Sequence, residues 1–183
     1  LAPVETARDL GLPVVRIIGS GHATSSIALH HRQDLTTLPA TVQAAKKAFK
    51  MADEAHRGML RKSGDPYIVH PLEVALIVSE EIGLGVTSTV CAILHDVVED
   101  TDIDLENLEE MFGSQVAYLV DGVTKIGGIR SVNREARKAE TYRKLVLSIA
   151  QDPRTVLIKL ADRLHNMRTI AYLPEQRQQD IAQ

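Results

Sequence analysis

One segment of the chain is apolar on nearly every face of a helix and then ends in a cluster of ionisable side chains. Its apolar positions are Val90, Cys91, Ala92, Ile93, Leu94, Val97 and Val98. A helix with almost no polar face belongs in a protein core. Its end, residues 95–100, holds one imidazole and three carboxylates. Burying unpaired charge is costly, so this cluster needs a counter-charge, which a divalent metal would supply.

The chain after residue 40 carries helical signals and no strand signals. Periodic apolar residues predict a helix from Val42 to a glycine cap at Gly58, and Pro71 suits the first turn of a second helix ending near Ile82. Thr87 or Ser88 is expected to cap the apolar helix. Further helices are predicted over 105–112, 115–123, roughly 134–150 and 152–170, with one more opening at Pro174. We therefore expect an all-α domain of seven or eight helices.

Length and composition are typical of one globular domain. The 183 residues should bury roughly 70% of the unfolded surface, so a core can form without disulfides or structural metal, and a metal site would be functional. Residues 1–40 are read as a lead-in of uncertain structure, with a possible short strand from Val14 to Ile18. The helical domain is expected to span residues 41–183.

Composition also excludes several classes of protein. The single cysteine, Cys91, rules out a disulfide framework and a cysteine-based zinc module, and it fits a reducing cytoplasm. No apolar run approaches the length of a membrane span. Six aromatic residues and basic residues mixed with acids, at a net charge of −3, disfavour nucleic-acid binding. A small anionic ligand held by a few Lys and Arg remains open.

Two other segments offer metal ligands that match the cluster. His70 stands directly before the second helix, and Asp162 interrupts an otherwise apolar stretch of a later one. Joined with His95 and Asp96, they would mix imidazole nitrogen and carboxylate oxygen, which suits manganese, iron or zinc better than calcium. We favour Mn²⁺, although the ligand set alone does not decide among the three.

Each of these residues also has a purely structural interpretation. An isolated histidine at a helix start, such as His70, is more often a cap or a packed side chain. Asp162 has a possible i, i+3 partner in His165, and Glu99 and Asp100 are compatible with a solvated helix end. Adjacent His-Asp pairs are also common by chance, so the metal hypothesis depends on the motifs around them.

Those motifs resemble the hydrolase domain of the RelA/SpoT homologue family, which degrades the alarmones ppGpp and pppGpp. The resemblance covers about residues 41–183, and four separated motifs occur in the family's order. They are His56 to Gly58, Arg61 to Pro71, His95 to Asp100 and Leu160 to Thr169.

The resemblance implies an all-helical fold of the HD superfamily with one Mn²⁺ held by His70, His95, Asp96 and Asp162. It also implies the reaction, in which water cleaves pyrophosphate from the ribose 3′ oxygen and leaves GDP or GTP. Glu99 and Asp100 match the acidic pair that the family uses for catalysis. Arg61 and Lys62 match residues beside the guanine base, and Ser63, Asn166 and Thr169 match nucleoside contacts.

A substrate with several phosphates would be repelled by an acidic site unless basic groups stood nearby. Lys159 and Arg163 flank Asp162 and are predicted to meet the phosphates. Further candidates are Arg61, Lys62, Lys125 and Arg168, each of which is alternatively a solvated surface cation. His56 and His165 are read as helix-packing groups or as outer supports of the site.

Two other functions remain open beside alarmone hydrolysis. The chain could be an HD phosphohydrolase of another nucleotide, such as a dNTP or NADPH, or a non-catalytic module that binds the alarmone and signals to attached domains. Intact motif residues favour an active hydrolase, and the loop from Arg61 to Tyr67 favours a guanosine alarmone. The sequence from Gln178 to Gln183 resembles the start of a connection to a synthetase domain, so we expect this chain to be the N-terminal piece of a longer enzyme.

Overall fold

The computed structural model describes residues 14–18, 24–28, 38–124, 143 and 146–182. Two antiparallel strands, β1 (Val14–Ile18) and β2 (Thr24–Ala28), pair from Val14 with Ala28 to Ile18 with Thr24. The short strand predicted at 14–18 is therefore confirmed. From residue 38 onward every regular element in the described ranges is helical, which confirms the all-α prediction for those ranges.

Eight α-helices follow the strands in the described part of the chain, besides the helical residues 143 and 146–151. They are α1 (Leu38–Ala55), α2 (Val69–Leu76), α3 (Val86–Leu94), α4 (Val97–Asp100), α5 (Leu105–Phe112), α6 (Ser114–Val123), α7 (Arg154–Arg168) and α8 (Glu175–Ala182). A π-helix (Ile77–Glu81) extends α2, and a 3₁₀ turn (Ile170–Tyr172) follows α7. None of the helices described is long and apolar enough to cross a bilayer.

Helix α3 lies at the centre of the fold. It packs against α1, α2, α6 and α7, and its residues from Ser88 to Leu94 are all buried. Ala45, Ala48 and Ala52 present small side chains on the inner face of α1, so α1 can approach α3 closely. Cys91 is fully buried in this core, as the apolar pattern predicted, and burial raises the pKa of its thiol.

The start of α3 differs from the sequence prediction. The helix begins at Val86 with Gly85 as its N-cap, whereas Thr87 or Ser88 was expected to cap it. The extended Gly85 carbonyl accepts the first backbone bonds, from Ser88 at 3.0 Å and Thr89 at 3.1 Å. Because the backbone of Gly85 already fills the N-cap position, Ser88 and Thr89 are carried inside the helix and buried.

The continuous helix predicted through Val98 is also wrong. The chain leaves α3 at His95 and re-enters a helix only at Val97, because Asp96 adopts φ −96° and ψ −8°, outside ideal helical geometry. The apolar periodicity continued across the break and therefore did not reveal it. The break places the His-Asp pair at a turn between two helices, where both side chains can face one site.

Helix α1 begins at Leu38, four positions before the predicted Val42, and the remaining helix predictions agree with the structure within one or two positions. Asp104 caps α5 in a capping box with Asn107, and α6 begins at Ser114. The predicted cap Asp152 accepts a hydrogen bond from the backbone N–H of Arg154 at 3.0 Å, although Pro153 occupies the N-cap position. Of the helix expected over 134–150, residues 143 and 146–150 are described and helical; its remainder and Lys125 lie outside the described residues.

Candidate metal centre and nucleotide cavity

The four predicted metal ligands converge from three parts of the fold. His70 is on α2, His95 and Asp96 form the turn after α3, and Asp162 lies on α7. His70 Nε2 is 3.4 Å from Asp96 Oδ2 and 3.4 Å from Asp162 Oδ1. His95 Nε2 is 3.2 Å from Asp96 Oδ1 and 3.9 Å from Asp162 Oδ1. The structure thus brings together all four residues that the sequence predicted as ligands.

The protonation pattern of His95 suits a metal ligand. Its Nδ1 lies 2.7 Å from the carbonyl oxygen of Ala92, which can only accept, so Nδ1 carries the hydrogen. In the neutral ring, which is the form that binds metal, the lone pair is then on Nε2, which is buried and has no hydrogen-bond partner. A buried unpartnered nitrogen beside two carboxylates fits a divalent cation, and His70, His95 and Asp162 offer ligand atoms within 4.8 Å of one another.

The basic side chains of this cluster favour the ionised forms of Asp96 and Asp162. Burial alone would raise the pKa of Asp96, but the imidazoles of His95 and His70 hold it well below its usual range. The pKa of Asp162 is likewise lowered, against the effect of burial, by His70, His95 and Lys159. Both carboxylates are therefore ionised at neutral pH, and two negative charges match a divalent cation.

The loop over residues 59–67 forms one wall of the site. Backbone bonds from Arg61 N to Asp65 O (2.8 Å) and from Tyr67 N to Met59 O (3.0 Å) close it, and Gly64 supplies the left-handed conformation at φ +90°. This closure directs Arg61 and Tyr67 toward the ligand cluster. Arg61 donates to Asn166 on α7, and its guanidinium lies 5.6 Å from the centre of the Tyr67 ring.

Tyr67 is a site residue that sequence reasoning missed. Its hydroxyl lies 2.8 Å from Asp96 Oδ2 and 2.7 Å from Asp100 Oδ2, so one phenol joins a predicted metal ligand to a predicted catalytic carboxylate. Its ring stacks on His56 with centroids 4.6 Å apart. Burial, followed by the charge of Asp96, raises the pKa of the phenol, so the hydroxyl keeps its proton. The sequence signal was its place between the loop and His70, which read equally well as packing.

An open cavity of about 540 Å³ adjoins the cluster. Its walls include the ligands His70 and Asp162, together with Tyr67 and His165. All seven residues that the sequence predicted as substrate contacts line it: Arg61, Lys62, Ser63, Lys159, Arg163, Asn166 and Thr169. Pockets of this size are typical of small-molecule sites, and the cationic wall suits an anionic ligand.

The remaining predicted residues are two carboxylates and two cations, whose positions are as follows. Glu99 and Asp100 lie on α4 directly after the ligand pair, with Asp100 held by Tyr67. Lys159 forms an ion pair with Asp162 at 3.0 Å, so it supports a ligand as well as facing the cavity. Arg168 pairs with Glu81 in a bidentate contact at 2.6 and 2.9 Å and does not line the cavity. The prediction that Arg168 meets the phosphates is therefore not supported by its placement.

Comparison with known proteins identifies related chains. Residues 48–183 match the family model described as "HD domain". The chain is 51% identical over 139 residues to a "Probable GTP pyrophosphokinase" of Mycobacterium leprae, covering 76% of this chain and 17% of the relative. It is 41% identical to the "Bifunctional (p)ppGpp synthase/hydrolase SpoT" of Escherichia coli, covering 77% and 20% respectively.

A solved structure is also similar to this chain. It is described as a metazoan ortholog of SpoT that hydrolyses ppGpp; the TM-score is 0.65 at 32% identity, covering 75% of this chain and 78% of that one. The chain spans about a fifth of the length of the curated relatives it matches, which are longer proteins. By fold, sequence and motif residues, this chain belongs to the HD-domain family, in its RelA/SpoT group.

Proposed function

We propose that residues 41–183 form a Mn²⁺-dependent (p)ppGpp 3′-pyrophosphohydrolase domain. Water would attack the 3′ diphosphate, the bond between phosphorus and the ribose 3′ oxygen would break, and GDP or GTP and pyrophosphate would leave. The observation that carries this proposal is the cavity in which two of the four predicted ligands, His70 and Asp162, meet the seven predicted substrate residues. The names of relatives as hydrolases, and the ppGpp-hydrolysing structural neighbour, support it.

The donor set suits manganese, iron or zinc, and the resemblance to the RelA/SpoT hydrolase domain favours manganese among them. Two imidazole nitrogens and two carboxylate oxygens would hold the ion, through His70, His95, Asp96 and Asp162. When bound, such an ion lowers the pKa of water and polarises a phosphoryl oxygen. Both effects match the attack of water on a diphosphate.

Glu99 and Asp100 would orient the attacking water and transfer a proton during hydrolysis. Asp100 is held by the Tyr67 hydroxyl at 2.7 Å, so its carboxylate has a fixed orientation beside the ligand Asp96. Glu99 lies on the same helical turn. A carboxylate placed there can orient the attacking water, accept the proton that this water loses and pass it to the leaving 3′ oxygen, contributions that typically reach 10²- to 10⁴-fold in rate.

The cavity wall would recognise the nucleotide through three groups of residues. Arg61 and Lys62 on the loop would flank the guanine base, with the planar guanidinium available for stacking. Lys159 and Arg163 on α7 would neutralise the phosphates. Nucleoside contacts are assigned to Ser63, Asn166 and Thr169.

The domain would operate within a longer protein. We propose that residues 1–40 lead into this domain and that a synthetase and regulatory domains follow it, since the curated relatives are about five times longer than the matched region. We place the whole protein in the cytoplasm, acting on a free nucleotide with neither nucleic acid nor membrane as partner of this domain.

The test is hydrolysis of ppGpp by the purified chain, with Mn²⁺ and with chelator, followed by chromatography of the products. We expect GDP and pyrophosphate to appear only with metal. Asp162→Ala should lose bound metal and activity together, whereas Asp102→Ala, at an exposed carboxylate outside the cavity, should lose neither.

Two results would overturn the assignment. Intact ppGpp in Mn²⁺ alongside hydrolysis of a dNTP or NADPH would indicate another phosphohydrolase. Tight ppGpp binding without turnover would indicate a sensor. Full metal occupancy in Asp162→Ala would remove Asp162 from the ligands.

A further inference from the structure

His165 makes a contact with a metal ligand that the proposed chemistry does not use. It lies in the last turn of α7, and its Nδ1 is 2.7 Å from Nδ1 of His70 on α2, with the two rings 4.8 Å apart. His70 is 1% exposed and His165 is 8% exposed. A buried contact this short between two nitrogens is a hydrogen bond and not a coincidence of packing.

The direction of this hydrogen bond follows from the ligand role of His70. A neutral imidazole carries one proton, and a nitrogen that binds metal must present its lone pair. His70 Nε2 faces the carboxylates of Asp96 and Asp162, each at 3.4 Å, and is the atom that converges on the cluster. The proton of His70 therefore sits on Nδ1, so His70 donates and Nδ1 of His165 accepts.

His95 shows the same arrangement with a different partner. There the backbone carbonyl of Ala92 accepts from Nδ1 at 2.7 Å and leaves Nε2 for the cluster. No backbone carbonyl serves His70 in this way in the described contacts; the imidazole of His165 takes that place. The two ligand histidines are thus oriented from opposite sides, one by α3 itself and one by α7.

We propose that His165 is a positioning residue that holds His70 in the tautomer and ring orientation needed to present Nε2 to the metal. This inference rests on the proposed metal site and concerns how the site is maintained. His165 acts through His70 and takes no part in the reaction. Partners of this kind typically alter metal affinity roughly 10- to 100-fold when they are removed.

Two substitutions at His165 distinguish the loss of a hydrogen-bond acceptor from a change in side-chain volume. His165→Leu fills a similar space without an acceptor, and His165→Asn places an amide oxygen near the former Nδ1 position. We expect His165→Leu to weaken Mn²⁺ binding roughly 10- to 100-fold in calorimetric titration with the metal alone, and His165→Asn to recover most of that loss. Circular dichroism and urea unfolding of the metal-free proteins verify that each variant is folded.

Two further readouts distinguish positioning from substrate binding and from packing. At saturating Mn²⁺ the His165→Leu variant should regain most of its kcat, with the KM for ppGpp unchanged; a raised KM would make His165 a substrate contact. Nitrogen NMR of the wild type loaded with Zn²⁺, a diamagnetic divalent ion, should show a protonated Nδ1 on His70 whose hydrogen is bonded to His165, and a metal-bound Nε2. This signal decides the matter even if His165→Leu does not fold.

The outcomes also separate this proposal from the metal site itself. If the wild type binds no Mn²⁺ or other divalent ion, both proposals fall. If the wild type binds Mn²⁺ and folded His165→Leu binds it equally tightly, only the positioning role is overturned. The opposite tautomer of His70 would also overturn it.

Discussion

Arg61 donates a hydrogen bond from Nη2 to Oδ1 of Asn166 at 2.8 Å, which joins the 59–67 loop to α7 across 105 positions of sequence. The other end of the same amide donates from Nδ2 to Oδ1 of Asp162 at 2.6 Å. A residue expected beside the base is therefore connected, through one side chain, to a residue expected at the metal. The two contacts also fix which way the Asn166 amide points.

This connection predicts that Arg61 and Asn166 act as a unit. Asn166→Leu removes both hydrogen bonds at similar volume, so we expect kcat/KM for ppGpp to fall about tenfold, as one lost bond to a charged group would give. In a double-mutant cycle with Arg61→Ala, the two effects should be non-additive by about 1 kcal/mol. Strictly additive effects would show that the contact has no energetic role in the reaction.

Tyr67→Phe tests the phenol that joins Asp96 to Asp100. Phe keeps the ring on His56 but removes the donor, so Asp100 loses its fixed orientation. We expect kcat to fall between about ten- and a hundredfold while bound Mn²⁺ and the unfolding midpoint change little. Tyr118→Phe on α6, outside the cavity, is the matched control. A Tyr67→Phe enzyme with full kcat would remove Tyr67 from the site.

The acidic pair predicts a loss of turnover without a loss of binding. Glu99→Gln and Asp100→Asn keep shape and remove a charge next to the ligand turn, so each should retain Mn²⁺ and ppGpp but lose roughly 10²-fold or more in kcat. Glu110→Gln, exposed on α5, provides the control. Single-turnover hydrolysis together with a metal assay gives both quantities, and near-normal turnover in Glu99→Gln would end its catalytic assignment.

The close approach of α6 to α7 predicts a cost for adding one methyl group. A Cβ at Gly122 would stand 2.8 Å from Cγ2 of Thr155 and 3.2 Å from Cβ of Ser148. Overpacking of this kind typically costs about 1 to 3 kcal/mol, partly offset by the higher helix propensity of alanine. Gly122→Ala should therefore lower the free energy of unfolding in urea, and Thr155→Ser should recover part of the loss. An unchanged urea midpoint would show that α6 and α7 can move apart without cost to accommodate the added methyl group.

The N-terminus of α7 predicts part of the acid sensitivity of the fold. Hydrogen bonds from the Arg154 guanidinium and backbone lower the pKa of Asp152. Because the folded pKa lies below the unfolded value of about 3.9, the stabilisation is present above that pH and is lost as the pH falls through the folded pKa. Asp152→Asn should be less stable than wild type at pH 7 and should match it near pH 2 in urea unfolding. A constant difference across that range would contradict the assignment.

The sequence predicted those features that depend on local chemistry. Asp104 and Asn107 identify the start of α5 because their capping bonds span only three residues. The four ligands could be predicted because they lie in three of the motifs that resemble the family. By contrast, the break at Asp96 leaves no trace in apolar periodicity, and Gly85 gave no cap signal because its backbone does the capping.

Contacts between distant segments explain the other failures. The Arg168 side chain forms an ion pair with Glu81, which lies 87 positions away at the end of a π-helix. No local sequence pattern predicted this π-helix. His165 was left open between a packing group and an outer support of the site, and Tyr67 was given no role, because their partners lie on other helices. Which way a polar side chain faces in a helical fold depends on the packing of helices, and this requires the three-dimensional arrangement.

The buried thiol of Cys91 makes the central helix observable by simple chemistry. It is the one cysteine in the chain, it is fully buried, and it lies one turn before His95 on the helix that leads into the ligand turn. Only a thiolate exposed by opening of α3 can be alkylated at an appreciable rate. The rate of labelling by a maleimide or iodoacetamide therefore measures how often this helix leaves the core. A single mass-spectrometric time course would record that opening without any engineered probe.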